Sequence, residues 1–206
     1  MDFLFLVKGL LIGLSTAAPV GPIGMLTIQR TLTKGRIYGL VTGMGAATAD
    51  GLYGCIAGFG LTFVSSFLVN QQSWLKLVGG VFLCYLGIKT FLSHAAKKAA
   101  DGNASNLLLA YATTVFLTLT NPTTILSFVA VFAGLGLGAA DNNYGSASLL
   151  VLGVFCGSAL WWLLLTGGIE LIRHRLKPGF LDRLNQLSGA IIIGFGVLAL
   201  ASLIFS

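Results

Sequence analysis

Residues 9–29 read GLLIGLSTAAPVGPIGMLTIQ and carry no charged side chain. The run is long enough to cross a bilayer as a helix, which takes about 20 predominantly apolar residues. Its middle, however, holds Pro19-Val20-Gly21-Pro22. Proline removes a backbone donor and clashes with the preceding turn, and it pushes the residue before it out of the helical region. The stretch therefore reads as a membrane span whose helix stops and restarts. Gly21 and Pro22 stand where an N-cap and a first helical residue belong.

The rest of the chain has the same character. Of its 206 residues 56% are hydrophobic and 9% charged, with a mean hydropathy of +0.92. A soluble domain carries about 25% charged residues, and the alternating pattern of an outer-membrane barrel is not found in this sequence. Stretches 9–29, 51–75, 102–140, 142–169 and 184–206 are uncharged, and only Asp50 interrupts the run from 37 to 75. Between Lys76 and Lys89 lies a shorter run that becomes a span if both lysines snorkel outward. The sequence thus predicts an all-α membrane protein, one domain over 1–206, with six transmembrane helices at roughly 4–28, 37–61, 73–93, 107–133, 147–171 and 187–205. The first of these reads as a retained span, because Asp2 and Lys8 stand where a cleaved leader has a basic start and an apolar middle.

Twelve Lys/Arg outnumber six Asp/Glu. Ten of the twelve lie in or beside the expected turns one (Arg30 to Arg36), three (Lys97 to Asn106) and five (Arg173 to Arg183). Positive charge marks the cytoplasmic side, so both termini are expected on the outer face. The basic residues form no stripe, which argues against nucleic acid as a partner. Cys55, Cys84 and Cys156 lie inside apolar runs with no metal-ligand or C-x-x-C spacing and read as small core residues.

The two halves match weakly but in a common order. Gly21 to Leu26 matches Asn121 to Leu126, Leu40 to Gly43 matches Leu150 to Gly153, and Leu77 to Gly80 matches Leu187 to Ala190. Repeat one covers about 1–96 and repeat two about 104–206. Three spans per repeat is an odd number, so the second repeat enters the membrane inverted. Inverted repeats are a transporter architecture with the site at the repeat interface near the midplane.

Asn121-Pro122 in the fourth span is the counterpart of Gly21-Pro22. Two helix restarts at mid-membrane expose N–H groups and partial positive charge, which a substrate carboxylate would satisfy. The plainer alternative is a pair of packing kinks. Asp50 is the one acid deep in an apolar run, and a mid-helix carboxylate costs about 2.5–3.5 kcal/mol on insertion scales. It would bind a substrate ammonium, carry a proton, or accept bonds from Thr48 or another helix. The matching stretch of the second half reads Ala159-Leu160-Trp161, giving a pocket with an acidic side and Trp161 as an aromatic wall. The candidate substrate-binding residues are thus Pro19, Gly21, Pro22, Thr48, Asn121, Pro122 and Trp161, with Asp50 for the proton or ammonium. Gly35, Gly39, Gly43 and Ala47, and Gly153 with Gly157, form small-residue stripes suited to close helix packing or to a homo-oligomer face. Glu170 is expected to pair with Arg173 or Arg175. Gln29 and Arg30 close the first broken helix and read as a solvated loop, a gate at the inner mouth being the other reading.

Taken together, Pro19-Val20-Gly21-Pro22, the basic turn ending in Gly35-Arg36, the run Gly43 to Asp50 and Asn121-Pro122 resemble the lysine-exporter (LysE/RhtB-type) family of bacterial amino-acid exporters. Leu77 to Lys89 and Leu187 to Val197 look like its third and sixth spans. The resemblance covers nearly the whole chain. It implies a six-span inner-membrane exporter, driven by the proton motive force, that moves amino acids or related small solutes outward without a cofactor or enzymatic step. Three details depart from the family pattern. Val20 is inserted in the usual Pro-Gly-Pro run, Ile23-Gly24 follow Pro22 where the family has Asn or Gln-Asn, and Thr123 follows Asn121-Pro122 where the family commonly has Lys. Alternating access with Asp50 as the coupling residue is the expected mechanism. The rivals are a membrane thiol–disulfide electron carrier, a structural assembly subunit and an exporter of divalent metal ions.

Overall fold

The computed structural model describes residues 3–19, 21–59, 70–92, 106–121, 124–125, 127–128, 144–173 and 178–204. Seven helices run through the described residues: α1 (Phe3–Ala17), α2 (Pro22–Lys34), α3 (Arg36–Gly58), α4 (Gln72–Phe91), α5 (Leu107–Thr120), α6 (Tyr144–Arg173) and α7 (Pro178–Ala201). Their ends follow local chemistry. Pro22 opens α2 in its first turn, where its missing N–H is no loss. Gly35 closes α2 at φ 101° while its N–H returns to the Thr31 carbonyl, a left-handed conformation that glycine adopts without a Cβ penalty. The Asn106 side chain caps α5 by accepting from the Leu109 N–H at 3.1 Å.

Three helices are each long and apolar enough to cross a membrane, over Ser73–Phe91, Tyr144–Ile172 and Asp182–Ala201. Their outer faces present large apolar side chains such as Trp74, Val81, Leu164, Leu171, Leu187 and Leu198, the surface a membrane protein offers to lipid. The chain is a membrane protein. Helix α3 has a different composition because it lies inside the bundle, against α2, α5 and α6. Ala46, Ala47, Ala49, Asp50 and Tyr53 on it are buried, so glycine, threonine and one acid replace the large aliphatics of a lipid-facing helix. Threonines throughout bond the carbonyl one turn back, as Thr27 does to Ile23 and Thr31 to Thr27. This keeps their hydroxyls satisfied without water.

Small residues let the helices meet closely. Helix α1 packs along α6 and α4 along α7. At the first crossing Gly9 and Gly13 face the backbone of Leu150 and Val154, and Gly153 and Gly157 face that of Leu6 and Leu10. At the second, Gly80 and Gly87 lie against the carbonyls of Gly196 and Gly189. On α3, Gly39 faces Thr31 and Gly43 faces Trp162. The stripes read from the sequence are therefore engaged within the bundle.

The first basic turn is shorter than expected. Arg30 to Arg36 reads as a loop, yet α2 runs to Lys34 and α3 begins at Arg36, so Gly35 alone makes the turn. The expected pairing of Glu170 involves the Arg173 side chain and Arg175, which lie outside the described residues.

Candidate functional site

The end of α1, the start of α2, the middles of α3 and α6 and the end of α5 surround one cavity of about 300 Å³. That volume is at the small end of the range for small-molecule sites, about 300–1,000 Å³. Pro19, Gly21 and Pro22 line it from the α1–α2 junction, Asp50 from α3, Asn121 from the end of α5, and Trp162 and Phe195 from α6 and α7.

Asp50 is 4% exposed. Its Oδ2 accepts the Ser158 hydroxyl at 2.6 Å, and that hydroxyl oxygen accepts the Trp162 Nε1–H at 3.1 Å. The link from Trp162 runs one way only, because an indole nitrogen donates and cannot accept. The Ser158 hydroxyl keeps its own proton for Asp50 when that acid is ionised. The Ser158 bond engages Oδ2, and among the described residues no hydrogen bond reaches Oδ1. Ser158 and Trp162 stand one turn apart on the same face of α6. Gly43 makes room for the indole, since a Cβ there would lie 2.5 Å from the Trp162 Cβ.

Opposite the acid, the first turn of α2 faces the same space. Gly21 at the N-cap is extended and provides no side-chain cap, and Ile23 and Gly24 line the cavity beside it. The first N–H groups of a helix have no partner within it and favour an anion. Asn121 is extended at the end of α5, and the N–H groups of Thr124 and Ile125 donate back to its carbonyl at 3.1 and 3.2 Å. Pro122 lies outside the described residues.

The cavity therefore brings together Pro19, Gly21, Pro22, Asp50 and Asn121. Two candidates are elsewhere. The Thr48 hydroxyl donates to the Met44 carbonyl at 2.9 Å and accepts from the Tyr111 hydroxyl at 2.8 Å, tying α3 to α5. Trp161 packs against the hydrophobic core, and its neighbour Trp162 is the aromatic wall. Ser158, Thr16, Thr118 and Phe195 were not legible as site residues. Only the spacing of Ser158 and Trp162, one residue either side of Ala159-Leu160-Trp161, carries a trace of the signal.

A second cavity, of about 390 Å³, shares Pro22, Asn121 and Phe195 with the first and reaches Lys76, Thr120 and Ser202. These three residues line both spaces.

Gln29 and Arg30 correct a further expectation. They are not in a solvated loop, because α2 continues past them. Gln29 is buried and its Nε2 donates to Asn185 Oδ1 of α7 at 2.9 Å. Arg30 is partly buried and its guanidinium donates to Thr42 on α3 and to Ala110, Thr113 and Thr114 on α5.

Residues 14–203 match the family model described as LysE type translocator. This chain belongs to the LysE-type translocator family. The family is one of transporters rather than enzymes. This translocator is 28% identical over 194 residues to a Bacillus subtilis (strain 168) protein named "Putative amino acid efflux protein YcgF", covering 91% of this chain and 90% of that one. It is likewise similar to the B. subtilis membrane protein YrhP, 28% identical over 187 residues, covering 84% and 87% of the two chains. The Escherichia coli (strain K12) membrane protein YahN is 26% identical over 185 residues, covering 85% and 78%. No solved structure matches the translocator.

Proposed function

We propose that the chain exports amino acids or related small zwitterions across the bacterial inner membrane in exchange for protons, by alternating access. The observation that carries this reading is the cavity of about 300 Å³ in which an acid, Asp50, faces the start of α2 and Asn121. A zwitterion matches that pattern. Its carboxylate goes to the helix starts at Gly21-Pro22 and Asn121-Pro122, and its ammonium, or the coupling proton, goes to Asp50. If ligand and proton compete for Asp50, proton entry is coupled to solute exit. The name of the B. subtilis relative, an amino acid efflux protein, agrees with this substrate class.

The transport cycle in this proposal uses six spans in two inverted repeats of three, with the first and fourth broken at their proline motifs. The end of α1 at Ala17 and the start of α2 at Pro22 support the first break. The packing pattern supports the repeat: α3 meets α6, α4 meets α7, and the contact of α1 with α6 has its counterpart in that of α5 with α3. Two cavities that share Pro22, Asn121 and Phe195 in their linings support a path with a barrier at those residues. Turns one, three and five face the cytoplasm and both termini face outward, following the basic residues.

The test is a solute screen on inside-out vesicles with an acid interior, against amino acids, dipeptides and divalent cations. Gradient-dependent uptake of one or more amino acids is the expected result. Uptake confined to divalent cations, or no uptake of any solute, would contradict the proposal.

A further inference from the structure

We infer that the Arg30 guanidinium is a carboxylate-binding subsite on the cytoplasmic half of α2, a station that substrate occupies before it reaches the cavity at Asp50; the inference rests on the exporter reading above. Arg30 stands eight residues beyond Pro22 on the same helix, about 12 Å along its axis. The charge is drawn into the bundle. Two of its acceptors, Thr42 and Thr114, are fully buried.

All of its partners are neutral. Nη1 donates to Thr42 Oγ1 at 3.0 Å, to the Ala110 carbonyl at 3.1 Å and to Thr114 Oγ1 at 3.1 Å, and Nη2 donates to Thr113 Oγ1 at 3.2 Å. Among the described residues no carboxylate pairs with it. The three hydroxyls have already committed their own protons to carbonyls one turn back, at Tyr38, Ala110 and Leu109. They offer only lone pairs. One terminal nitrogen with two hydrogens thus shares three acceptors, while the rest of a five-donor fork is lightly used.

A cation held inside a membrane protein by neutral acceptors is costly, and such residues serve a substrate path or a partner. Arginine is suited to one class of ligand in particular. Its planar fork matches a carboxylate through two charge-assisted bonds, stronger than bonds to hydroxyls. Every zwitterionic amino acid carries that group. The same turn of α2 also holds α7, through Gln29 and Asn185. A carboxylate that replaced the threonine oxygens at Arg30 would remove three hydrogen bonds that tie α2 to α3 and α5 and leave the Gln29–Asn185 bond to α7 in place. The nearest other cation on α2, Lys34, is engaged over the Tyr38 ring at 4.1 Å, so Arg30 is the charge that faces inward.

The test is chemical modification of the full-length protein in inside-out vesicles by phenylglyoxal, an arginine reagent of amino-acid size. Labelling of Arg30 and of exposed Arg36 is read separately by peptide mass. The probes are an equimolar mixture of the twenty amino acids and the matching mixture of amino-acid amides. The acids should slow labelling of Arg30 about tenfold, as a charge-assisted pair allows, and leave Arg36 unchanged; the amides should protect neither. Equal protection by amides, protection of neither residue, or failure of the reagent to reach Arg30 at all would overturn the subsite. Vesicle uptake of the same amino acids separates the two claims. Uptake without protection leaves the exporter reading standing and removes the subsite, whereas protection without uptake does the reverse.

Discussion

The Ser158 hydroxyl donates to Asp50 Oδ2 across 2.6 Å, joining the middle of α6 to the middle of α3. The bond ties the buried carboxylate to α6 through one of its two oxygens. Trp162 completes the chain from the other side, so the acid and the aromatic wall are set by one hydroxyl.

Asp50→Asn keeps an oxygen that accepts the Ser158 proton but carries neither charge nor a titratable site. Insertion and folding should be near normal. Gradient-driven export should fall by at least about tenfold, the effect of losing roughly 1.4 kcal/mol of coupling. Purified yield and initial uptake rates, measured side by side, check this. Normal export against a gradient would remove Asp50 from the coupling step.

Ser158→Ala leaves the acid without its donor and the indole N–H without its acceptor. Loss of a hydrogen bond to a charged group costs about 1.5–3 kcal/mol. A lower Tm in detergent, together with a raised KM for the transported solute, is the expected outcome. An unchanged Tm would mean that the Asp50–Ser158 bond holds nothing in place.

Gly43→Ala tests the packing that seats Trp162. The added Cβ would stand 2.5 and 2.6 Å from the Trp162 Cβ and Cγ, atoms close to the backbone that cannot swing away. Overpacking of this kind costs about 1–3 kcal/mol. Gly168→Ala, on the same helix as Trp162 but with nothing within 4 Å of the added atom, is the control and should be harmless.

Adjacent tryptophans give a discriminating pair. Trp162→Phe keeps an aromatic, though smaller, ring and deletes the donor to Ser158, and should change the relative uptake of competing amino acids. Trp161→Phe, away from the cavity, should leave that order intact. The reverse pattern would assign the wall to Trp161.

The thiol-carrier alternative predicts dependence on cysteine. Cys55, Cys84 and Cys156 are free and sit on three different helices. A triple Cys→Ser protein should transport at the wild-type rate, and loss of activity with normal yield would reopen that reading.

Much of this was legible in the chain because charge is scarce in it. The uncharged runs place α4 and α6 within a few residues of their expected ends, since a lipid-facing helix tolerates no charge along its middle. Proline and asparagine mark the ends of α1 and α5, and a single acid marks α3, because each breaks a rule of the membrane interior. Side-chain phase was harder to read. Thr48 is two residues from Asp50, about 200° around the helix, so proximity in sequence put it on the opposite face. Trp161 and Trp162 differ by about 100°, and nothing local says which turns inward. Ser158 gave no signal because serine is common in packed helices. Arg30 reads as a loop residue in the sequence because the charge rule treats basic residues at span ends as solvated. Only the packing of α3 and α5 on α2 draws it inside.

The most direct test of the account follows protons and solute together. Inside-out vesicles are loaded to an acid interior, and lumenal pH is recorded when a transported amino acid is added outside. Solute should enter while the lumen turns alkaline faster than in vesicles without the protein, and Asp50→Asn should abolish both signals. Solute uptake with no accompanying proton release, or proton release that survives in Asp50→Asn, would contradict that account.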